Sequence, residues 1–546
     1  DTSACTKCLE EALALCKQSL ISSSEAECLM NIADIHCRQG DIVQAKAHYQ
    51  RACKLCKEQL DSMGEARALC GLSETDLSLG DSYAAIDELL ESLAIRKKVG
   101  DRKGEAECLR RLSHAYTLVG KLSTARKVTE QARQLAMENG IALDDAKADM
   151  LLAKIDMEAG DLDSAIEGLQ RARDMYAKTV MLGNNKVFID PHMLGQCLGE
   201  LGNVFMLASK FDRSHEVYEQ AEQLLEAAEE IDEISNLRCR MGLLASVRKD
   251  GSTKPSAEMF EHGLQKIAQS LQAFEKIGSR KGIARCILYT GIVLCRKGEQ
   301  QKGMQKLRLA LDIFKELSDK RSMAETFLEM GVLSSSSPQG VVYLEQSLML
   351  RREASDLAGE AKCLRSLADL HSYLGNSRAS IKCWQDCLSL KKELQDNAAI
   401  KQCLEHLCAL YIQLEDYSRV SDYISQLRDI AHSQRDHDSE AQALLLLGKC
   451  NFNLGSTSGA EENFKLALRI CQENSSSEQL LVREAECHDK LAQLYLDQGR
   501  TKESQVELEQ VQRLKKKLGK DMLRGILSKV ERPNSLKKLF HLKMKT

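Results

Sequence analysis

Four glycines fall at a fixed spacing of forty residues: Gly40, Gly80, Gly120 and Gly160. Each closes one apolar helical pattern and precedes another, as in DIHCRQGDIVQAKAHY and KIDMEAGDLDSAIEGL. A period of this size marks an array in which one supersecondary unit repeats along the chain. Such an array grows without a single closed core and presents long surfaces rather than an enclosed catalytic pocket. It therefore overrides the several globular domains that a length of 546 residues would otherwise suggest.

Each unit reads as helix A, a turn at the glycine, helix B, and a link to the next unit. SEAECLMNIADIHCRQG followed by DIVQAKAHYQRACKLCKEQ shows the pattern, with apolar residues at helical spacing in both halves. Small residues at Ala33, Ala45 and Ala52 let the two helices approach as an antiparallel hairpin. The glycine supplies the left-handed conformation that ends helix A, and the following Asp41, Asp81, Asp161 or Asn376 is placed to cap helix B. The turn recurs at Gly298, Gly375, Gly455 and Gly499, while Ser209 and Glu415 occupy the same place without a glycine.

The predicted fold is all-α: about twelve antiparallel helix pairs, preceded by a lone B-like helix in TKCLEEALALCKQ. The expected organisation is a first array over 1–178, a loop over 179–194, and a second array over 195–518 with irregular units near 246–259 and 334–340. A capping helix over 519–532 and a basic tail over 533–546 follow.

Composition agrees. Only four prolines interrupt the chain, aromatics are 4%, and Leu, Ala, Glu and Lys dominate. A net charge of −4 gives no reason to expect nucleic acid. The 21 cysteines are scattered, many at apolar helix positions such as Cys28, Cys70, Cys108, Cys239, Cys286, Cys408 and Cys450. Free thiols in a reducing compartment fit that usage. With no transmembrane run and no secretory leader, the expectation is a cytoplasmic protein, including one associated with the cytoskeleton or a cilium. The chain begins at Asp1 without a methionine, which leaves room for an upstream domain.

The L-G-x-x-x-x-A pattern, with a small residue in each helix, resembles the tetratricopeptide repeat, whose usual period is about 34 residues. The longer spacing and the GEA openings, as in GDRKGEAECLRRLSHAYTLVGKLSTARKVTEQA, are similar to the repeats of the Pins/LGN polarity adaptors. ESLAIRKKVGD and QSLMLRREASD resemble kinesin light chains more distantly. The chain departs from the repeat family in lacking the proline that often ends helix B, and from the polarity adaptors in lacking their G-protein-binding motif. The resemblance implies a right-handed superhelix whose A helices line a concave groove that receives an extended or helical partner segment.

It also implies which positions line that groove: polar residues of helix A nine and six places before the turn. These are Asn31 and Asp34, Glu74, Arg111 and His114, Lys154, Glu200 and Asn203, Asp369, His406, Lys449 and Lys490. The strip begins acidic, turns basic, becomes mixed and ends basic, so a partner with complementary charge order would be read in register. Arg111 is the leading residue, since a guanidinium takes a carboxylate bidentately. The alternative is that these are solvated helix faces.

No catalytic or metal-binding set is expected. Cys5 with Cys8, and Cys53 with Cys56, fall inside helical patterns far from zinc-site spacing, and HEVYE at His215 lacks a second histidine. No phosphate loop or nucleophile elbow is present, and no cofactor is expected. From Val511 onward twelve Lys and Arg face only Asp521 and Glu531, a tail suited to weak contact with an acidic partner or a membrane surface. The functional expectation is a non-enzymatic adaptor that binds protein segments. The alternatives are the sensor module of a larger switch ATPase or protease, and a structural part of a cilium or cytoskeletal array.

Overall fold

A computed structural model describes residue 11 and residues 22–138, 142–178, 191–247, 256–334, 337–394, 396–474 and 478–518. Twenty-four helices and no strand are found among the described residues. The first eight are α1 (Ser22–Gln39), α2 (Ile42–Glu58), α3 (Ser62–Leu79), α4 (Ser82–Val99), α5 (Arg102–Val119), α6 (Leu122–Glu138), α7 (Ala142–Ala159) and α8 (Leu162–Lys178). Next come α9 (Pro191–Leu207), α10 (Phe211–Ala227), α11 (Ile231–Ala245), α12 (Ala257–Ile277), α13 (Arg280–Lys297), α14 (Gln300–Glu316), α15 (Lys320–Leu333) and α16 (Gln339–Glu353). The last are α17 (Leu357–Tyr373), α18 (Ser377–Glu393), α19 (Asn397–Gln413), α20 (Tyr417–Gln434), α21 (His437–Asn453), α22 (Thr457–Glu473), α23 (Glu478–Asp497) and α24 (Thr501–Leu518). Odd-numbered helices are A helices and even-numbered ones B helices, which makes twelve hairpins.

The chain divides into two compact units, residues 1–396 and 397–546. Within each, every helix packs on its neighbours in sequence, and several A helices, such as α5 with α7 and α21 with α23, also touch the A helix of the next hairpin. The A helices thus form one layer and the B helices a second. The expected small contacts hold: Ala33, Ala45 and Ala52 are fully buried in one cluster with Leu29, Tyr49 and Leu69.

The turns form as their residues require. Gly40, Gly80, Gly120 and Gly160 have φ between 82° and 90°, and Ser209 and Glu415 adopt the same left-handed conformation at 57° and 59°. The carboxylates of Asp41, Asp81 and Asp161 accept the backbone N–H of Gln44, Ala84 and Ser164. Asn376 departs from expectation, because its side chain makes no capping hydrogen bond.

The openings of two A helices have a further cause. Arg96 donates to Asp101 Oδ2 at 2.7 Å, and Asp101 Oδ1 accepts the N–H of Gly104 at 2.9 Å. Arg351, Asp356 and Gly359 repeat this arrangement at 2.6 and 2.8 Å. A Cβ on Gly104 or Gly359 would overlap the guanidinium above it. The glycine of the GEA opening is therefore set by close approach of the preceding B helix, not by an unusual backbone angle.

The three irregular stretches differ in detail from expectation. A helix begins at Pro191, so residues 191–194 of the expected loop are helical, while 179–190 lie outside the described residues. Residues 248–255 also lie outside them, between α11 and α12. Helix α15, at 14 residues, is the shortest described and ends at Leu333, just before residues 334–340. The expected capping helix, the basic tail, Cys5, Cys8 and nearly all of the lone first helix lie outside the described residues.

In the first unit the array turns back on itself. Helix α3 touches α15, and α5 touches α17, six hairpins further along. The turn glycines meet that later layer: Gly80 faces Ala354, and Gly120 faces Leu394 and the backbone of Ala358. Lys362 Nζ donates to Glu158 Oε2 at 3.0 Å across 204 residues of sequence.

Candidate functional site: the A-helix surface of the first unit

The register positions lie on A helices, and several pair across neighbouring ones. Arg111 on α5 donates from Nη1 to Glu74 of α3 and from Nε to Glu107 on its own helix, both at 2.8 Å. Lys154 on α7 lies 3.4 Å from Glu200 on α9, and Arg240 of α11 lies 3.8 Å from the same carboxylate. These cations hold the Glu200 carboxyl below its ordinary range against the opposing effect of burial. Asn203 donates to Glu200 at 2.8 Å and accepts from the Tyr218 hydroxyl at 2.5 Å. At the acidic end, Asp34 accepts from Tyr49, while Asn31 is exposed. Burial, then Glu74 and Asp34, push the Cys37 thiol up to about 12.

Glu74, Arg111, His114 and Lys154 come together in one open chamber of about 570 Å³. Four successive A helices, α3, α5, α7 and α9, form its floor. Its opposite wall is Lys281, Asp319 and Arg321, brought in by the later turn of the array. Leu77, Leu118, Met150, Leu151 and Met193 give it an apolar part. The His114 ring is solvent-accessible yet surrounded by the concave wall. That desolvation, with Lys154 and Arg321 beside it, lowers its pKa to about 4, so the imidazole is neutral at pH 7. A second hollow of about 280 Å³ continues past Lys154 and Glu200 to Asn236, Arg240 and Arg285.

The remaining sites are separate. Asp369 on α17 is exposed and lines neither hollow. His406, Lys449 and Lys490 belong to the second unit, on α19, α21 and α23. Burial lowers the pKa of Lys449, with Lys490 and Arg483 adding to the effect against Glu486. Lys490 donates to Gln493 at 3.3 Å and lies 3.7 Å from Asp489.

Sequence reasoning missed Arg110, Lys147, Lys281, Arg321 and Arg240. Arg240 sits six residues before the turn at Ser246, so the register rule reaches it once a turn lacking glycine is allowed. Lys281 and Arg321 carry no local signal, because the turn-to-turn contact alone brings them to the chamber.

Every described cysteine is free, and most are buried, including Cys53 and Cys56. Cys28 is only half-buried. Among the described residues no group of three His, Cys, Asp or Glu side chains could hold a metal ion, and no helix is long and apolar enough to cross a membrane.

A family model of the tetratricopeptide repeat matches residues 26–60. A model of anaphase-promoting complex subunit 5 matches residues 348–414 and 410–485. No curated protein matches the chain in sequence. Among solved structures, a Rap protein complexed with competence and sporulation factor is 14% identical, covering 68% of this chain and 99% of its own, with a TM-score of 0.45. The apo form of RapI is 11% identical, covering 54% and 98%, with a TM-score of 0.38. A signal-transduction ATPase with a tetratricopeptide-repeat sensor from Pyrococcus horikoshii is 13% identical, covering 72% and 52%, with a TM-score of 0.35. Nothing in these matches supports the finer resemblance to the Pins/LGN adaptors. The repeat match and the paired-helix architecture together support a tetratricopeptide-repeat type of protein, an all-α solenoid.

Proposed function

We propose that this chain is a non-enzymatic adaptor that holds extended or helical segments of partner proteins against its A helices. The observation that carries this reading is the chamber of the first unit. Register positions from successive hairpins converge there on one concave space with both polar and apolar lining. Stacked hairpins offer such a surface without the fixed acid, base or nucleophile that catalysis needs. The free, buried thiols fit work in a reducing cytoplasm.

Selection of a random peptide library against the full chain tests the reading. Peptides should be recovered from the wild type and weakened by Arg111→Glu with Lys154→Glu, whose helicity is checked by circular dichroism. Failure to recover any peptide, or recovery of peptides indifferent to both substitutions, would overturn it.

A further inference from the structure

Six cationic side chains line the chamber: Arg110, Arg111, Lys147, Lys154, Lys281 and Arg321. Among the described residues two carboxylates, Glu74 and Asp319, line it with them, while Glu107 and Glu200 beside it pair with Arg110, Arg111 and Lys154. Those two are already engaged, Glu74 by Arg111 and Asp319 by Lys281 at 2.8 Å. Asp319 also caps its own helix by accepting the N–H of Ser322 at 3.0 Å. Arg321, half-buried two residues past that cap, makes no hydrogen bond or ion pair with any described residue. A guanidinium held in a concave, partly desolvated space without a carboxylate leaves five donors and a charge to be met by a ligand.

The cations stand on two walls. Arg110, Arg111, Lys147 and Lys154 come from α5 and α7, while Lys281 and Arg321 come from α13 and α15 on the opposing turn. The apolar side chains lie on α3, α5, α7 and α9, on the same side as the first group. A fully ionic ligand would leave Leu77, Leu118, Met150, Leu151 and Met193 unused, and an apolar one would strand the Arg321 guanidinium.

We infer that the chamber takes an acidic peptide segment whose carboxylates are gripped from both turns, with Arg321 as the main contact on the later turn and apolar side chains of the segment seated on the floor. This rests on the adaptor reading and names its partner class. The bound segment bridges the two walls. Its affinity therefore depends on salt and on the charge of residues three to five hairpins apart in the array.

The test uses the full chain and short fluorescein-labelled peptides read by anisotropy: one of repeated Glu-Leu-Ser, its Gln-Leu-Ser counterpart and its Lys-Leu-Ser counterpart. The acidic peptide should bind at least about tenfold more tightly than the amide form and lose that advantage as salt rises. Arg321→Gln, which keeps size and polarity, should weaken only the acidic peptide, with the thermal transition unchanged. Inorganic phosphate at comparable concentration should not displace it. Equal binding of acidic and amide peptides, indifference to Arg321→Gln, or full displacement by phosphate would overturn the inference. Tight binding of the amide or basic peptide that is lost in Arg111→Glu would overturn it while leaving the adaptor reading in place. Binding of no peptide at all would sink both.

Discussion

Glu88 on α4 shows how one side chain sets a measurable property of the array. Burial, followed by the nearby Asp76 carboxylate, raises its pKa to about 8, against the opposing pull of Lys46. Asp76 itself takes the Lys46 ammonium. The folded chain thus binds a proton at Glu88 that the unfolded chain releases near its ordinary value. This contribution to stability is full below the unfolded pKa of about 4.5 and is lost as pH rises to about 8. Because Glu88 is only half-buried, its effect at neutral pH is on the order of 1 kcal/mol. Glu88→Gln should leave the urea midpoint at about pH 5 unchanged, raise it at about pH 8, and flatten the slope between. Gly104 is the opposite kind of position. A methyl group there must displace Arg96 from Asp101, and Gly104→Ala should cost about 1–3 kcal/mol in the same denaturation assay. The GEA opening was visible in the sequence, but its reason was not, since Arg96 approaches from another helix.

Hairpins repeat their sequence signals faithfully at the scale of the element. The turns at Gly40, Gly80, Gly120, Gly160, Gly298, Gly375, Gly455 and Gly499 were readable, as were those at Ser209 and Glu415, because the apolar spacing on both sides fixes where helix A must stop; the turn at Ser246 was not. The chain bears a cost at those two turns, since a residue with a side chain is held left-handed. Glu415→Gly should stabilise the second unit by roughly 0.5 kcal/mol, the relief of that strain less the extra entropy of glycine. A denaturation midpoint for residues around α19 and α20, followed by hydrogen exchange, would show it. The Asp101 cap acts in two directions, toward the N–H of Gly104 and toward Arg96. Asp101→Ala should therefore cost more than the ~1 kcal/mol of an ordinary cap. Asp81→Ala, whose carboxylate caps an exposed turn, should stay near that value. Equal losses would show that the Arg96 contact adds nothing.

For the molecule as a whole, local pattern stops being informative. The sequence predicted stacked hairpins and which face of each A helix carries polar groups, and the structure places Glu74, Arg111, His114 and Lys154 in one chamber. It could not predict that Glu74 and Glu200 would already be engaged by Arg111 and Lys154, because pairing depends on the offset between adjacent A helices. Still less could it predict the opposing wall. How many hairpins complete a turn follows from a small rotation per repeat, accumulated over about two hundred residues, and no short motif encodes it. The chamber, and everything inferred from it, depends on that closure. Zero-length carbodiimide cross-linking of the native full chain, followed by peptide mass spectrometry, tests it most directly. The account predicts an amide bond between Lys362 and Glu158, 204 residues apart, that disappears in Glu158→Gln. If neighbouring pairs such as Lys154 and Glu200 cross-link but Lys362 and Glu158 do not, the turns do not meet and the chamber has no second wall.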